Sequence, residues 1–479
     1  MRDLLKIFYV NFKMHPEVYF FYGFLLTFTL SIRKVLYYYP LSGSFNEYTG
    51  IYLYLSDIFV LAIIFTSIYK YLQKNSYQYI FIKLKNCSTW NFFNRHNAIF
   101  TIFFLFIAWS WLSLIWSQIP QIAIFRSIKL IEVFIVFAFI LNKIVPHRTY
   151  LLNSFIIIII VGTFQSIFAI CQFILQKSLG LTWLWESMIA PNIPGVAKII
   201  VNGDKYIRSY GLMPHPNILG GFLLVSIILT ITIICISRKP QIIDKCSLWN
   251  TLNKFIVPRG TQLILLILLV FQIIAQFLTF SKSAILGTII GIAYLIVVSR
   301  ETFGVLFKIT KYGFFVFLII LLLAINLKFD IGLWLNQSLQ ERIVYLNISR
   351  ETITNNVLTG SGIGQFVPNM SKHHNLAEWQ FQPVHNVFLL VWSELGLIGL
   401  ILFTFIIWMI IYKPKITNVS RETNRINGYL TIKNMLNSLI IGLIFIMLFD
   451  HYFWDIHQGI LILWTVAGYS YGFNSLLKK

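Results

Sequence analysis

The segment that decides the fold is residues 385–411, HNVFLLVWSELGLIGLILFTFIIWMII. It contains one acidic residue, Glu394, and neither lysine nor arginine. About 20 apolar residues are enough for a helix to cross the hydrocarbon core of a bilayer. The segment therefore predicts a transmembrane helix that begins at a polar His385-Asn386 pair. Gly396 and Gly399 within it are expected to allow close packing against a neighbouring helix.

The whole chain has the same apolar character. Of its 479 residues, 57% are hydrophobic and 11% are charged, and the mean hydropathy is +0.75. Soluble proteins carry about 25% charged residues. Apolar runs long enough to cross a membrane occur at 17–32, 51–69, 97–116, 122–142, 151–175, 217–237, 261–280, 284–299, 312–327, 386–411, 434–450 and 456–473. We therefore predict an all-α, polytopic membrane bundle of about 12 transmembrane helices, forming a single domain over residues 1–479, and exclude a cytosolic enzyme with one anchor.

The charge balance gives the predicted topology. The chain has 38 basic and 17 acidic residues, a net charge of +21. Such an excess suggests nucleic acid in a soluble protein, but basic residues collect in the cytoplasmic loops of membrane proteins. With both termini in the cytoplasm, the inner connections hold 25 lysines and arginines and the outer ones 11. We expect a multi-pass protein of the cytoplasmic (inner) membrane with both termini cytoplasmic, an uncleaved first span, and no nucleic-acid partner.

Two long connections lie on the outer side of this topology. The first spans residues 176–216, and the second, residues 328–385, joins the ninth and tenth spans and is the longest in the chain. Long loops in a compact domain are usually functional or disordered. The second loop is expected to be ordered, with a helix at 340–355 and a glycine turn at 360–364. Six of the nine histidines also lie on the outer side, so we expect any chemistry there: His215, His373, His374, His385, His451 and His457.

Three cations are expected at the outer surface. Arg208 and Arg342 lie in the two long loops, and Lys282 lies in the tight turn between spans seven and eight. Together they have the chemistry to hold a diphosphate, because arginine forms bidentate hydrogen bonds to phosphate oxygens. The alternative is that they are ordinary charges that contact lipid headgroups.

The fourth span carries Arg126, Lys129 and Glu132 on one helical face. Ionisable groups within a span usually face the bundle interior and are paired or functional. We expect Lys129 and Glu132 to form a structural pair. Arg126 lies nearer the outside and is a candidate contact for a donor substrate.

His385 is the candidate general base. The ordinary pKa of histidine, near 6.5, suits proton removal from a hydroxyl acceptor, although a lone histidine at a helix entrance is more often a structural residue. Glu394 lies nine residues further on, about half a turn round the helix at 100° per residue. We therefore do not expect the two side chains to form a dyad.

The last outer turn is rich in acids and histidines, with Asp450 and His451 followed by Asp455 and His457. This density is compatible with a metal, but the spacing is not diagnostic of one. We favour an acceptor-binding rim to which Asp450 and His451 contribute, and expect neither a metal nor a cofactor. Nucleotide-binding glycine motifs do not occur in the sequence. A donor must therefore carry its own activation, as a polyprenyl-diphosphate-linked sugar does.

Together these motifs resemble the O-antigen ligase/polymerase family, integral-membrane glycosyltransferases that act on lipid-linked glycans outside the cytoplasmic membrane. Four blocks occur in the family's order over roughly residues 200–410. They are Arg208, Gly211 and Pro216-Asn217; Ser281-Lys282-Ser283-Ala284; Arg342 and a helix followed by Gly360-Ser361-Gly362-Ile363-Gly364; and His385-Asn386 with Gly396 and Gly399. The histidine block is the most specific of the four.

The resemblance implies a metal-independent, inverting transfer of a glycan from a polyprenyl-diphosphate carrier. It makes His385 the base that activates the acceptor hydroxyl, and it assigns binding of the donor diphosphate to Arg208 and Arg342. Asn217 and Asn386 are expected to contact the acceptor or to support the site. The second block usually reads Ser-Arg in the family, whereas Lys282 follows the serine here. Lysine keeps the charge but loses the planar fork of arginine. The role of Lys282 as a phosphate contact is accordingly the weaker expectation.

The implied partners are a lipid-linked glycan donor, membrane lipids, and a glycan, lipid or protein acceptor. A ligase that loads a glycan onto an acceptor, as in lipopolysaccharide assembly, is favoured over a polymerase of the same family. The alternative from another class is a 12-span transporter of polysaccharide or lipid. Transporters of that size commonly show internal repeats with a site near the midplane. The polar candidates of this chain gather at the outer surface instead.

Overall fold

The computed structural model describes residues 11–74, 88–201, 203–237, 260–298, 331–374, 376–412 and 423–476. The predicted ninth span, 312–327, lies outside these residues. The longer helices are α1 (Pro16–Thr27), α2 (Leu55–Lys74), α3 (Ser88–Leu112), α4 (Pro120–Phe139), α5 (Arg148–Leu175), α6 (Pro216–Ser237), α7 (Gly260–Leu278), α8 (Lys282–Val298), α9 (Ile331–Asn355), α10 (Phe366–His373), α11 (Val387–Ile411) and α12 (Thr423–Met447). A four-residue helix, α13 (Tyr452–Asp455), precedes α14 (His457–Leu476).

The predicted apolar runs coincide with helices. Each of the eleven runs that fall on described residues overlaps one of them. Within the described residues, five helices are long and apolar enough to cross a membrane on their own, in the segments Leu55–Gln73, Ala98–Ile115, Arg148–Leu175, Pro216–Ile236 and Val387–Ile411. Three apolar helices are shorter, at Gln262–Leu278, Lys282–Val298 and Thr431–Met447. The chain is thus a helical membrane protein, and the count of twelve spans stays a prediction.

Two β-hairpins depart from the all-α prediction. Strand β1 (Arg33–Tyr38) pairs antiparallel with β2 (Gly50–Tyr54), and β3 (Lys198–Val201) pairs antiparallel with β4 (Asp204–Ile207). Strand β2 of the first hairpin contains residues 51–54, which are the first residues of the predicted second span. Its β2 sequence is rich in aromatic and β-branched residues, which favour a pleated surface. The helix that follows therefore starts at Leu55 rather than at residue 51.

Helix α6 is the centre of the bundle. Every residue from Ile218 to Cys235 in this helix is buried by protein. Helices α5, α7, α8 and α12 pack around it. Gly287 of α8 and Gly442 of α12 meet backbone to backbone, since a Cβ on either would lie 2.8 Å from the other's carbonyl oxygen. Small residues allow this approach, and it brings the ends of α6, α8 and α12 to one place.

Gly396 interrupts helix α11 and creates a docking site for the second long loop. Its φ is 68° and its ψ is −173°, a region that is essentially restricted to glycine. The interruption frees backbone groups of the helix. The amides of Ser361 and Gly362 donate to the carbonyls of Ser393 and Glu394, at 2.9 and 2.8 Å. The glycine turn predicted at 360–364 is therefore fixed against α11, two turns beyond His385.

We expect Gly396→Ala to destabilise the protein by about 1–3 kcal/mol or more. Besides the unfavourable φ, the new Cβ would lie 2.1 Å from the carbonyl oxygen of Leu358, and backbone cannot move away cheaply. The apparent Tm in detergent should fall. Gly468→Ala is the matched control, because its Cβ would meet only side-chain atoms of Ile140, at 3.2 Å or more. Equal effects of the two substitutions would contradict this account.

The second long loop is ordered where the structure describes it. Helix α9 extends from Ile331 to Asn355, so it is longer than the predicted 340–355. Helix α10 follows the glycine turn, and a short helical turn at Glu378–Gln380 precedes His385. His385 therefore lies between a folded segment of the loop and the start of α11.

Candidate active site

The polar side chains singled out in the sequence lie at the ends of helices that meet on the predicted outer face. Asn217 lies in the first turn of α6, Lys282 opens α8, and His385 immediately precedes α11. Asp450 and His451 lie in the turn between α12 and α13. Because α6, α8 and α12 pack together, residues far apart in sequence come into one cluster.

His385 lies at the centre of this cluster. Its ring stacks on Tyr345 of α9 at a centroid distance of 5.6 Å, and meets the ring of His451 edge-on at 5.0 Å. A ring nitrogen of each histidine and a carboxylate oxygen of Asp450 lie within 4.8 Å of one another. Burial, together with the nearby charges of His451 and Arg342, lowers the pKa of His385 well below its ordinary value. His385 is therefore neutral at pH 7 and able to accept a proton.

His451 is held by a carboxylate. Its Nδ1 lies 2.8 Å from Oδ2 and 2.9 Å from Oδ1 of Asp455, one helical turn away. Burial lowers the pKa of His451, but the carboxylates of Asp455 and Asp450 outweigh burial and raise it above the ordinary value. The charged form is thus favoured. The hydrogen bond at Nδ1 also fixes the ring, so that Nε2 is the nitrogen left for other contacts.

Asp450 is the anchor of a hydrogen-bond network that joins three helix ends. Its Oδ2 accepts from Asn217 Nδ2 at 2.9 Å and from Ser283 Oγ at 3.2 Å. Asn217 in turn accepts a hydrogen bond from the guanidinium of Arg208, whose Nε donates to the carbonyl of Thr279 at 2.7 Å. Burial lowers the pKa of Arg208 to about 10, so its guanidinium remains charged at pH 7.

The three predicted cations share one electrostatic environment. Lys282 interacts electrostatically with both Arg342 and Arg208. Asp450 interacts with the same two arginines. These three cations are separated by up to 134 positions in the sequence, and their role in binding a diphosphate stays a prediction. Cations grouped near His385 can stabilise the negative charge that develops on a leaving group.

Arg126 and Asn386 hold backbone in place. Arg126 donates from its two Nη atoms to the carbonyls of Asp455 and Tyr48, so it fixes the turn that carries the partner of His451. Its role as a donor contact stays a prediction. Asn386 caps α11 by accepting from the amide of Leu389 at 2.9 Å, and donates to the carbonyl of Leu448 at 3.0 Å. Both residues position the cluster.

The predicted pair of Lys129 and Glu132 is present and has a third member. Lys129 Nζ lies 2.7 Å from Glu132 Oε2 and 2.7 Å from Asp57 Oδ2 of helix α2. His457 belongs to this group, since its Nε2 lies 2.8 Å from Ser56 Oγ and 3.5 Å from Asp57 Oδ1. These residues form a structural charge cluster, separate from His385. Glu394 accepts from Trp454 Nε1 at 2.8 Å and likewise belongs to the packing of the bundle.

The donor set of His385, Asp450 and His451 also has the composition of a transition-metal site. Arg342 and Arg208 bring positive charge to the same place, which opposes a bound cation. In the second group of potential ligands, Asp57, Glu132 and His457, the ammonium of Lys129 already pairs with both carboxylates. Among the described residues the electrostatics thus favour an anion at the first group.

A comparison with protein-family models gives one match. Residues 266–404 match the model described as O-antigen ligase. This segment is similar to the O-antigen ligase family. The match contains Lys282, Arg342 and the His385-Asn386 pair, and the predicted family resemblance is therefore confirmed. The match supports a membrane glycosyltransferase-like function in polysaccharide biosynthesis. A search of the curated proteins found no match to the chain.

The cluster contains predicted residues from outside the matched segment, and two features that the sequence did not predict. Arg208, Asn217, Asp450 and His451 lie outside the matched O-antigen ligase segment, and the packing of α6 and α12 against α8 brings them to it. Tyr345 and the pairing of Asp455 with His451 were not predicted. The four-residue spacing of His451 and Asp455 could have indicated the pair, because residues at that spacing face each other on a helix. Nothing in the sequence marks Tyr345.

Proposed function

We propose that the chain transfers a glycan from a polyprenyl-diphosphate carrier to an acceptor hydroxyl at the outer face of the cytoplasmic membrane, with both termini in the cytoplasm. One observation carries the proposal: the half-buried, neutral imidazole of His385 lies beside the His451–Asp455 pair and near Arg342, which interacts electrostatically with Lys282. A base next to a group of cations is what glycosyl transfer from a diphosphate requires.

In this reaction His385 removes the proton from the acceptor hydroxyl. The acceptor oxygen attacks the anomeric carbon as the bond from that carbon to the diphosphate oxygen breaks. The leaving diphosphate keeps the electron pair, and the three cations stabilise its developing charge. A single displacement of this kind inverts the anomeric centre, in agreement with the resemblance to inverting transferases. The proton on His385 is lost to solvent or to the departing phosphate.

His451 supplies a fourth positive charge beside the base. It favours the imidazolium form because Asp455 accepts from its Nδ1. Next to His385, this charge both keeps the base neutral before reaction and favours the anionic transition state. Asp450, which precedes His451 in the chain, accepts a hydrogen bond from Asn217, and Asn217 accepts one from Arg208.

The pH dependence of transfer should follow from these two histidines. Transfer needs neutral His385, so the rate rises with pH through a pKa below the ordinary histidine value. It also needs charged His451, so the rate falls above a pKa that lies higher than the ordinary value. In Asp455→Asn the charge-stabilising carboxylate is gone, and the basic limb should move to lower pH. The measurement is a pH–rate profile of both proteins.

Asp204→Asn is the matched control for that experiment. Asp204 is exposed at the start of β4, and its substitution should leave both limbs in place. A basic limb that stays where it is in Asp455→Asn would exclude His451 as the group that titrates there.

The proposed function is tested by reconstitution into liposomes with a polyprenyl-diphosphate-linked oligosaccharide. Release of free polyprenyl diphosphate identifies a glycosyltransferase. A ladder of repeat units as product identifies a polymerase, and a single transfer to an added acceptor identifies the ligase that we favour. Movement of the lipid-linked glycan across the bilayer without release would instead identify a transporter and overturn the proposal.

A further inference from the structure

A polar cleft lies near the cluster around His385 and contains none of the residues of the proposed mechanism. It has a volume of about 290 Å³ and lies between the C-terminal half of α9, the glycine turn, helix α10 and the segment that joins α3 to α4. Ligand pockets in proteins begin at about 300 Å³. The cleft is therefore large enough for a small ligand or for part of a longer one.

The lining of the cleft has the chemistry of a sugar-binding site. Amide and hydroxyl side chains dominate it, and they can both donate and accept hydrogen bonds, as sugar hydroxyls do. The polar lining residues that matter most are Gln118, Thr352, Asn355, Asn356, Ser361 and Asn369. Trp116 adds an aromatic side chain, and Ile348 and Met370 add apolar surface. The described lining contains neither lysine nor arginine, which distinguishes this cleft from a site for phosphate groups.

Two polar atoms of the lining are buried without a partner. Trp116 Nε1 and Asn369 Oδ1 make no hydrogen bond within the described part of the chain. The neighbouring Trp109 shows the contrast, because its Nε1 donates to the carbonyl of Leu395 at 2.8 Å. An unsatisfied buried donor or acceptor costs about 1–3 kcal/mol. The donor of Trp116 and the acceptor of Asn369 are thus complementary to a ligand that carries hydroxyl groups.

The cleft is held in shape by bonds between its walls. The side chain of Gln365 accepts from the amide of Ile119 at 2.9 Å and donates to the carbonyl of the same residue at 3.2 Å. The amide of Ile363 donates to Ser113 Oγ at 3.2 Å. These contacts join the α3–α4 connection to the glycine turn. A preformed cleft loses little conformational entropy when it binds a ligand.

Helix α9 connects the cleft to His385. Tyr345, which stacks on His385, lies seven residues before Thr352 of the cleft, and residues at this spacing share a helical face. At 1.5 Å per residue the separation along the helix is about 10 Å. A chain of linked sugars can bridge that distance, so that one end reaches the base while a later residue occupies the cleft.

We propose that this cleft binds sugar residues of the glycan chain during transfer. The proposal rests on the glycosyl-transfer function proposed above, and it adds a binding site remote from the reacting bond. The glycan of the donor and that of the acceptor share this chemistry. Kinetic measurements with each substrate separate the two sources.

Binding is tested on the full-length His385→Ala protein in detergent, in which turnover is blocked. The probes are the lipid-free oligosaccharide released by mild acid from the native lipid-linked donor, and the delipidated acceptor glycan. Calorimetry and saturation-transfer NMR should detect at least one of them. Adding Trp116→Phe, which keeps a ring but removes the N–H, or Asn369→Leu should raise the Kd about tenfold, as expected when a polar contact is lost. Trp183→Ala, an exposed tryptophan of the first long loop, is the matched control and should change nothing.

Steady-state kinetics identify the source of the sugar. With His385 intact, Trp116→Phe should raise the KM for one substrate about tenfold and leave kcat within about twofold, since the cleft is remote from the reacting atoms. A higher KM for the donor assigns the cleft to the donor glycan, and a higher KM for the acceptor assigns it to the acceptor glycan.

Two results would overturn the proposal. One is that neither oligosaccharide binds at millimolar concentration, and the other is that Trp116→Phe and Asn369→Leu bind as the parent does. These failures are distinct from failure of the proposed function. If the protein binds the oligosaccharide through Trp116 but transfers no glycan, the binding proposal stands and the proposed transferase function fails. If transfer occurs and the cleft variants do not affect it, the transferase function stands and the binding proposal fails.

Discussion

His385→Ala is expected to reduce the release of polyprenyl diphosphate by about 100- to 10,000-fold, the range that a positioned general base contributes. The substitution removes an imidazole whose pKa is lowered by burial and by cationic neighbours, so that it is neutral at pH 7. His451 cannot replace it, because Asp455 favours its charged form. The measurement is release from reconstituted protein under single-turnover conditions, where binding and chemistry are separated.

His147→Ala is the matched control for this loss. His147 is exposed at the start of α5, on the predicted cytoplasmic side, and its removal should leave release unchanged. Both variants should elute from gel filtration as the parent does, because Asn386, which caps α11, remains in place when the ring of His385 is removed. Near-normal release from a folded His385→Ala protein would remove this residue from the mechanism and, with it, the proposed role of the cluster.

Lys129→Met is expected to cost about 3–5 kcal/mol of stability, the range for breaking a buried ion pair by removal of one partner. The ammonium of Lys129 lies 2.7 Å from a carboxylate oxygen of each of Asp57 and Glu132. Without it, two buried carboxylates would face each other within the bundle. The apparent Tm in detergent should fall sharply, and the yield of folded protein should fall with it.

Lys143→Met provides the comparison. Lys143 lies 3.0 Å from Glu17, but its side chain is 29% exposed and Lys70 remains 2.6 Å from the same carboxylate. That change should cost under about 1 kcal/mol. A triple variant, Lys129→Met with Asp57→Asn and Glu132→Gln, should recover much of the stability, because it removes the unpaired charges together. If Lys129→Met were as stable as Lys143→Met, the cluster would not support the bundle.

The sequence was sufficient for the helices and for the identity of the candidate base. Long apolar runs can only form helices in a bilayer, since every backbone polar group must be paired within the segment. This is why eleven predicted runs coincide with helices. The sequence did not indicate that Gly396 interrupts helix α11, because a glycine in an apolar run is equally compatible with close packing of an unbroken helix. The β1–β2 hairpin was missed for a similar reason, as its second strand continues directly into an apolar helix.

The sequence predicted Arg208, Lys282 and Arg342 on one surface, because a membrane topology places distant loops on the same side, and their role in donor binding stays a prediction. It paired Lys129 with Glu132 from their spacing on one helix. It did not find Asp57 as their third member, which comes from another helix. Contacts within one helix follow from a fixed period of 3.6 residues, whereas contacts between helices depend on which faces pack.

The sequence by itself thus determined a polytopic helical membrane protein, the resemblance to O-antigen ligases, and the residues that carry charge or accept protons on its predicted outer face. Only the tertiary structure decided what each of those residues touches. Packing of α6, α8 and α12 brings Asp450 to Asn217 and Ser283, places Asp455 against His451, and lays Tyr345 on His385. The physical reason is that hydropathy and charge are properties of single segments, while burial and hydrogen bonding at a site are properties of the segments that meet there.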